Sequence, residues 1–344
     1  MSADAPNGVR YRALLRDGHV ESYEVMLVDP DAERAVWLRA TIFASDREPE
    51  RALTEGWAVT FDRRSSGAPR KVAVKHVIPY EGASFSDSGL SARWKIGDSA
   101  EPLDHFALTA GATSGLITRR DHRVAWSLTF TGAAAPIMLL PREALYRGRF
   151  PILKPCVPYP DARFEGDVIV DGERWPVSGW RGMQAHRWGR GYPTRYAFCH
   201  VSAWEGEDDG AFLLEGVSAD LRLGPIPLPR ATLLCVRDHG VTYDFNLPRA
   251  LVQARGDMGL RRWEFSAESE RARVEGSVEA HAADFVGLYT PSPDGQMIYG
   301  LGTALAHARV RFEAEGQAPR ALTSRAAALE IGTRDEAHGV RMYL

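Results

Sequence analysis

The segment with the most reactive side chains is Gln184-Ala185-His186-Arg187-Trp188-Gly189. If it is extended, residues two positions apart share a face, so Gln184, His186 and Trp188 lie together. An imidazole exchanges protons near neutral pH, and an indole offers an apolar ring that attracts cations. The spacing therefore predicts one wall of a site that handles both protons and apolar molecules.

The next strand-like stretch, Tyr196 to Trp204, repeats this arrangement. Its alternation puts aromatic rings and an imidazole on one face and small residues on the other. Rings mixed with a few polar groups are typical of a wide ligand pocket. We predict that the substrate-binding residues are Gln184, Tyr196, Phe198, His200 and Trp204.

A third stretch, Ala211 to Val217, holds a lone carboxylate, Glu215, among apolar neighbours. Burial would raise the pKa of Glu215 and keep it protonated near neutrality, which is the state that a general acid needs. We predict catalytic roles for His186, Glu215 and Trp188.

Each of these assignments has an alternative. His186 and Trp188 also fit as side chains that fill a barrel core, with the imidazole bonded to a backbone carbonyl. Glu215 also fits as the structural partner of an arginine, either Arg187 or Arg195.

Motifs for metals, nucleotides and nucleophilic catalysis are weak or missing. His186 and His200 have no third ligand at a spacing that completes a zinc site. Gly300-Leu301-Gly302 begins like a dinucleotide-binding loop, but Leu305 stands where the third glycine belongs. Neither a GxxxxGK[ST] loop nor a GxSxG elbow occurs. We predict no metal and no cofactor.

Charge and hydropathy limit the partners. The net charge is −3 and no stripe of Lys or Arg occurs, which argues against nucleic acid as a main partner. The longest apolar runs, such as Ala133 to Leu140, are far shorter than the roughly 20 residues that span a bilayer. We predict no transmembrane segment, while peripheral membrane contact stays open. Met1 to Pro6 lacks the features of a secretory signal, so we expect a cytoplasmic protein.

Period-2 alternation recurs along the whole chain and predicts about 20 strands of typical length. That number is too large for one open twisted sheet and fits two closed or nearly closed barrels. Only Arg142 to Arg147 and part of Arg47 to Gly56 indicate helix. The clearest alternating stretches are Ala35–Phe43, Lys71–Ile78, Val124–Thr131, Asp167–Asp171, Ala231–Val236, Arg261–Ala267, Ala272–Val278 and Ala306–Glu313.

A chain of 344 residues exceeds what one hydrophobic core usually organises, so we expect two domains. The proline-rich stretch Phe150 to Pro160 is the predicted crossing between them, because proline cannot donate to a central strand ladder. We place the domains at residues 1–160 and 161–344. The interface between them is a favourable place for a ligand site.

Several segments together resemble the tandem lipocalin-like proteins, a group that includes tocopherol cyclase-like proteins, carotenoid hydratases (hydroxyneurosporene synthases) and AttH-like proteins. The central part is similar to the His-x-Trp-Gly element of many members, although Arg187 stands where many have asparagine. The similar segments are Glu21–Tyr23, Ala35–Thr41, Trp57–Asp62, Asp161–Gly166, Trp180–Gly189, Tyr196–Phe198, Pro291–Gly295 and Thr303–Ala306.

The resemblance implies two tandem lipocalin-like antiparallel β-barrels and a cofactor-free protein that binds an apolar, isoprenoid- or polyketide-like substrate. Members of this group hydrate, cyclise or pericyclically close such molecules. His186, Trp188 and Glu215 match positions associated with protonating a double bond. We therefore expect a cyclase, hydratase or isomerase that works by acid-assisted alkene activation or conformational templating. The alternative is a non-catalytic carrier of lipids or pigments. No oligomeric state is implied.

Overall fold

The computed structural model describes residues 5–13, 17–64, 69–97, 103–208, 210–224 and 226–344. The described chain is almost entirely antiparallel β-structure, which confirms the predicted all-β fold with little helix. Residues 1–4, on which part of the secretory-signal prediction rests, lie outside this set. Within the described ranges, no helix has the length and apolar character needed to cross a membrane.

The first sheet is nearly closed and barrel-like, and it comprises twelve strands. Its strands are β1 His19–Val28, β2 Arg34–Ala44, β3 Leu53–Asp62, β4 Arg70–Pro79, β5 Ala83–Phe85, β6 Ser91–Lys95, β7 His105–Thr109, β8 Ala112–Arg119, β9 His122–Thr131, β10 Ile137–Met138, β11 Leu153–Val170 and β12 Glu173–Gly189. The hydrogen-bonded order is β4-β3-β2-β1-β12-β11-β9-β8-β7-β6-β5, with β10 beside β11.

The second sheet comprises ten strands. The remaining strands of the chain are β13 Tyr196–Val201, β14 Phe212–Ala219, β15 Arg222–Leu223, β16 Ile226–Pro227, β17 Ala231–Asp238, β18 Val241–Asp244, β19 Arg255–Met258, β20 Arg262–Glu268, β21 Ala272–Glu279, β22 Val286–Pro291, β23 Met297–Ala314 and β24 Arg320–Thr333. The order is β18-β17-β14-β13-β24-β23-β21-β20-β19, with β22 beside β23, while β15 and β16 form a separate hairpin.

Two short α-helices, α1 Ala144–Arg147 and α2 Pro248–Gln253, are described, together with three single 3₁₀ turns. The helix indicated at Arg142 to Arg147 therefore forms, but the one indicated within Arg47 to Gly56 does not. There, Leu53 pairs with Phe43 and starts β3, so the sheet ladder overrides the local helical tendency.

The chain passes from the first sheet to the second between Gly189 and Tyr196. The domain boundary predicted at residue 160 falls inside β11, whose prolines lie within a strand. β11 accommodates them because its pairing with β12 shifts register twice, between Cys156 and Ala162. Such irregularities are where a strand tolerates residues that cannot donate to the ladder.

The three largest of five hydrophobic clusters among the described residues follow from the alternation of the strands. One fills the first barrel, one lies inside the second sheet, and the third lies between the two sheets. In the third core, Trp37 of β2 packs on Gly302 of β23, where a Cβ atom would lie only 2.4 Å from the indole Cζ3. The two sheets are thus held face to face by close packing.

Candidate functional site between the two sheets

Strand β12 separates two environments residue by residue. Its odd-numbered residues Met183 and Ala185 belong to the core between the sheets. Its even-numbered residue His186 instead stacks on Tyr23, which belongs to the core of the first barrel. Gln184, His186 and Trp188 therefore share one face, as the alternation predicted, and that face points away from the second sheet.

The imidazole of His186 is fully buried, and both of its nitrogens have partners. Nδ1 lies 2.9 Å from the carbonyl oxygen of Pro6, and Nε2 lies 2.8 Å from Glu21 Oε1. The ring stacks on Tyr23, with centroids 4.3 Å apart, and on Trp188 at 4.7 Å. Each ring nitrogen is thus already occupied by an oxygen atom of the protein. His186 has no free nitrogen for a substrate in this arrangement.

The Glu21 carboxylate is the centre of this cluster and receives five hydrogen-bond donors. They are the backbone amides of Arg10 and Tyr11, the rings of His19 and His186, and the Tyr23 hydroxyl. Burial by itself would raise the pKa of Glu21, but the hydrogen bonds and charges of His186 and His19 hold this pKa well below its ordinary value. Glu21 is therefore ionised at neutral pH and holds its five donors in place.

The N-terminal segment 5–12 covers the same face of β12. The amides of Asn7 and Gln184 bond each other reciprocally, at 2.9 and 3.0 Å, and both residues are fully buried. The guanidinium of Arg10 lies 5.1 Å from the centre of the Trp188 ring. The predicted wall of Gln184, His186 and Trp188 thus borders a closed, satisfied core, with the imidazole bonded to a backbone carbonyl.

A cavity of about 150 Å³ opens on the other side of β12, between the sheets. Arg187, Tyr196 and Phe198 line it, and the other fifteen lining residues are all apolar. These others are Leu140, Pro141, Leu145, Phe150, Pro151, Ile152, Leu153, Pro155, Pro193, Val217, Ala219, Leu221, Ala231, Leu233 and Leu251. A dry apolar cavity of roughly 150 Å³ holds a molecule such as benzene, so this one accepts a ring or a short branched chain.

Arg187 forms the polar end of this cavity and belongs to a buried ionic network. Its guanidinium donates to Glu24, and to Glu330 Oε2 at 2.9 Å. Arg39 lies 3.5 Å from Glu24, and the Tyr196 hydroxyl donates to Glu330 at 2.7 Å. Two arginines and two glutamates cancel in charge, so the network joins the sheets without giving the cavity a net charge.

The second buried pair is His200 with Glu215, on neighbouring positions of β13 and β14. His200 Nδ1 lies 2.8 Å from Glu215 Oε2. The remaining atoms, His200 Nε2 and Glu215 Oε1, are buried and have no hydrogen-bond partner among the residues the structure describes. Burial raises the pKa of Glu215, against the opposing hydrogen bond and charge of His200. The direction of this shift is the one that we predicted from the apolar surroundings of Glu215.

The predicted arginine partners of Glu215 are both engaged elsewhere. Arg187 binds Glu24 and Glu330, and Arg195 donates to the Met258 carbonyl. The partner of Glu215 is instead His200, because antiparallel pairing of β13 and β14 sets the two residues side by side.

Trp204 lies apart from the other predicted binding residues. β13 ends at Val201, so the alternation that placed Trp204 beside Tyr196, Phe198 and His200 stops before it. Its ring packs inside the second sheet, 5.3 Å from Phe212 in an edge-on contact. Tyr196 and Phe198 line the cavity, whereas His200 adjoins it without lining it.

The structure also shows polar residues that sequence reasoning missed. Glu21 and Glu24 lie in the strand His19–Val28, which is buried along its whole length, and Glu330 lies in the apolar end of β24. Carboxylates inside buried strands were the available signal, since such groups require partners. His186 lies in the first barrel, whereas His200 shares the strand face of Tyr196 and Phe198 between the sheets. Among the residues open to description, no three His, Cys, Asp or Glu side chains gather as a metal site.

Comparison with known proteins gives distant relatives. No family model matches the chain. An uncharacterized protein of Mycobacterium tuberculosis, Rv0493c, is 23% identical over 285 residues, which is 81% of this chain and 76% of the relative.

Three solved structures are similar over 92% of this chain. CghA has a TM-score of 0.56 at 12% identity and is covered to 88%. Kievitone hydratase from Nectria haematococca has a TM-score of 0.52 at 10% identity and is covered to 90%. An AttH-type protein from Nitrosomonas europaea has a TM-score of 0.50 at 13% identity and is covered to 93%. CghA has also been solved with the compound Sch210972. The chain thus shares the overall fold of these three structures.

Proposed function

We propose that this chain is a cofactor-independent cyclase, hydratase or isomerase that acts on an apolar, isoprenoid- or polyketide-like molecule held between its two sheets. The observation that carries the proposal is an apolar cavity next to a buried acid with an unused oxygen. Phe198 and Val217 line the cavity, and each lies two residues along the same strand face from His200 and Glu215, respectively.

Glu215 is the proton donor in this proposal. Its protonated carboxyl delivers a proton to a carbon–carbon double bond, either after a side-chain rotation or through one water molecule, and leaves a carbocation and a carboxylate. His200 holds the other carboxyl oxygen, and the rings of Tyr196 and Phe198 stabilise the cation. Water then adds to the carbocation, or an internal double bond attacks it and forms a ring. The proton released in the last step returns to Glu215. A pericyclic closure needs only the shape of the cavity.

The residues first predicted as catalytic have different parts in this proposal. Glu215 keeps its role as the acid. His186 and Trp188 act as positioning residues, because their contacts with Glu21, Tyr23 and Arg10 fix the strand that carries Arg187.

The proposal draws support from the relatives as well. Two of the similar structures share the fold over nine-tenths of this chain, and one of them carries the name of a hydratase. CghA takes a small molecule, Sch210972, on the same fold.

One observation favours a second candidate, a carrier of lipids or pigments. Neither His200 nor Glu215 lines the cavity, and its only charged lining residue, Arg187, is neutralised by Glu24 and Glu330. Such walls retain an apolar molecule without acting on it.

The first experiment tests whether the cavity binds a ligand. Native mass spectrometry of the purified chain should show a co-purified apolar compound, or should show added ethylbenzene bound. Ala231→Phe, which fills the cavity, should abolish binding, whereas Ala125→Phe on β9 of the first sheet should leave it intact. Equal binding by both variants would contradict the site.

The second experiment separates the enzyme from the carrier. The compound that co-purifies is incubated with the protein in D2O, and the products are followed by mass spectrometry. An enzyme that protonates an alkene incorporates deuterium, and Glu215→Gln should stop incorporation while ligand binding persists. A carrier returns the compound unchanged with either protein.

A further inference from the structure

Most of the large apolar side chains exposed in the described chain lie in segments that also line the cavity. Three segments each supply cavity-lining residues: 137–152, 221–230 and 247–253. Of the twelve large hydrophobic side chains exposed in the described part of the chain, seven lie in these segments. We call them the apolar rim: Met138, Phe150, Ile152, Leu223, Ile226, Leu247 and Val252. Exposed apolar patches of this kind mark interaction sites.

The most exposed members protrude from two small elements. Leu223 and Ile226 are each 60% exposed on the β15–β16 hairpin, and Val252 on α2 is 75% exposed. Their neighbours Leu221 and Leu251 line the cavity. Leu221 lies two residues before Leu223, and Leu251 lies directly before Val252, so these exposed side chains stand next to cavity-lining residues along the chain.

Charge in the same three segments is strongly positive. They contain six arginines and a single glutamate, a formal charge of +5 in a chain whose total is −3. Arg147, Arg149 and Arg249 pair with exposed acidic residues, and Arg230 pairs with Asp220 and Asp257. Such pairs near the surface are weak, and a guanidinium keeps further donors. Arginines around protruding apolar side chains suit phosphate and carboxylate groups above a hydrocarbon layer.

We propose that the apolar rim docks the protein on the surface of an anionic lipid bilayer. The rim residues enter the boundary between headgroups and acyl chains, the arginines contact the headgroups, and the cavity opens toward the hydrocarbon in which apolar molecules dissolve. A symmetric pair of copies meeting through this face fits less well, because it would bring the two arginine-rich faces together. The docking does not depend on the chemistry at Glu215.

Vesicle flotation of the full chain tests this docking without any substrate. The protein should float with equimolar phosphatidylcholine and phosphatidylserine vesicles and remain behind with phosphatidylcholine alone. Raising the salt from about 0.1 M to 1 M shortens the Debye length from about 10 Å to about 3 Å and should weaken binding. A double Leu223→Asp and Ile226→Asp variant should lower the partition coefficient by at least about tenfold, since two apolar side chains lose their burial.

The matched control is a double Val77→Asp and Ile169→Asp variant, which changes exposed apolar residues outside the three segments and should bind vesicles like the parent. Circular dichroism checks that both variants fold. Absence of flotation, equal binding to both vesicle types, or equal loss in the two variants overturns the proposal. A parent dimer that the hairpin variant alone converts to a monomer, without vesicle binding, assigns the rim to a second copy instead.

Discussion

Two buried clusters in the described chain combine histidine with glutamate, and they differ in what surrounds them. In the first barrel, both nitrogens of His186 have partners, and Glu21 receives five donors. Between the sheets, His200 Nδ1 and Glu215 Oε2 bond to each other, whereas His200 Nε2 and Glu215 Oε1 lack a hydrogen-bond partner within the described ranges. The same two residue types therefore form a saturated cluster in one place and an incomplete one in the other.

The difference separates a structural role from a chemical one. A saturated buried carboxylate contributes to stability and has no capacity left for another molecule. An incomplete pair costs about 1–3 kcal/mol for each unsatisfied group, which is why the proposed function assigns the chemistry to this pair. Each of the following experiments tests this contrast, from the largest expected effect to the smallest.

Replacing Glu21 should cause the largest loss of stability. Glu21→Gln leaves His19 and His186 facing an amide and should lower the free energy of unfolding by about 3–5 kcal/mol, as expected when a buried ionic pair loses one partner. Urea denaturation measures the change. Glu173→Gln, at a carboxylate of the same sheet that is 45% exposed, is the control and should change little. A loss of similar size at both positions would remove the contrast.

Replacing Glu215 should affect turnover more than stability. In Glu215→Gln, the unfolding free energy should stay within about 1 kcal/mol of the parent, because the neutral isostere resembles the protonated acid. Acid-catalysed conversion of the co-purified compound should fall by at least about 100-fold. Strong destabilisation with unaffected conversion would show that this pair, too, is structural.

The two carboxylates should give stability profiles of opposite slope with pH. The pKa of Glu21 is lowered by folding, so its contribution is complete above the ordinary glutamate pKa and declines as the pH falls below it. The pKa of Glu215 is raised, so its contribution is complete below the ordinary pKa and is lost as the pH rises through the raised value.

This prediction is checked by urea denaturation between about pH 4 and pH 7, with each profile compared with that of the matching glutamine variant. For each carboxylate, the slope of the unfolding free energy with pH should differ between the parent and its glutamine variant by at most about 1.4 kcal/mol per pH unit, which is the limit for the titration of one proton. If the slope differences for Glu21 and Glu215 had the same sign, the assignment of one pair as saturated and the other as incomplete would be contradicted.

The smallest expected effect concerns a single donor to Glu21. Tyr23→Phe removes one of five donors and should lower the free energy of unfolding by about 1 kcal/mol. Tyr289→Phe, at a tyrosine that is 44% exposed, serves as the control and should be neutral. If Tyr23→Phe matched the cost of Glu21→Gln, the cluster would depend on one bond and not on saturation.

Alternation along the sequence was sufficient to predict the strands and which residues share a face. It placed Gln184, His186 and Trp188 together, because residues two apart on a strand point the same way. It failed for Trp204, since no local pattern shows that β13 ends at Val201. The pairing of His200 with Glu215 was accessible: the turn-rich Glu205 to Gly210 centres a hairpin that sets the two in register.

Contacts between residues far apart in the sequence could not be predicted from local sequence patterns. Asn7 and Gln184 are 177 residues apart, and Arg187 and Glu330 are 143 apart. Nothing in the pattern around Gln184 shows that an N-terminal segment covers it. Such pairings depend on how the closed sheet and its ends fold over each other, which is tertiary information.

Strand β12 also bears on how this protein can evolve by amino-acid substitution. Met183, Ala185 and Arg187 face the interface, whereas Gln184 and His186 are fixed in the first barrel. A substitution at Met183 or Ala185 reshapes the space between the sheets and leaves the side-chain hydrogen bonds of Gln184 and His186 in place, whereas Arg187 is tied to Glu24 of the first barrel. Ligand preference and barrel stability can therefore be altered independently at neighbouring residues of a single strand, and laboratory evolution of new specificities should begin at Met183 and Ala185.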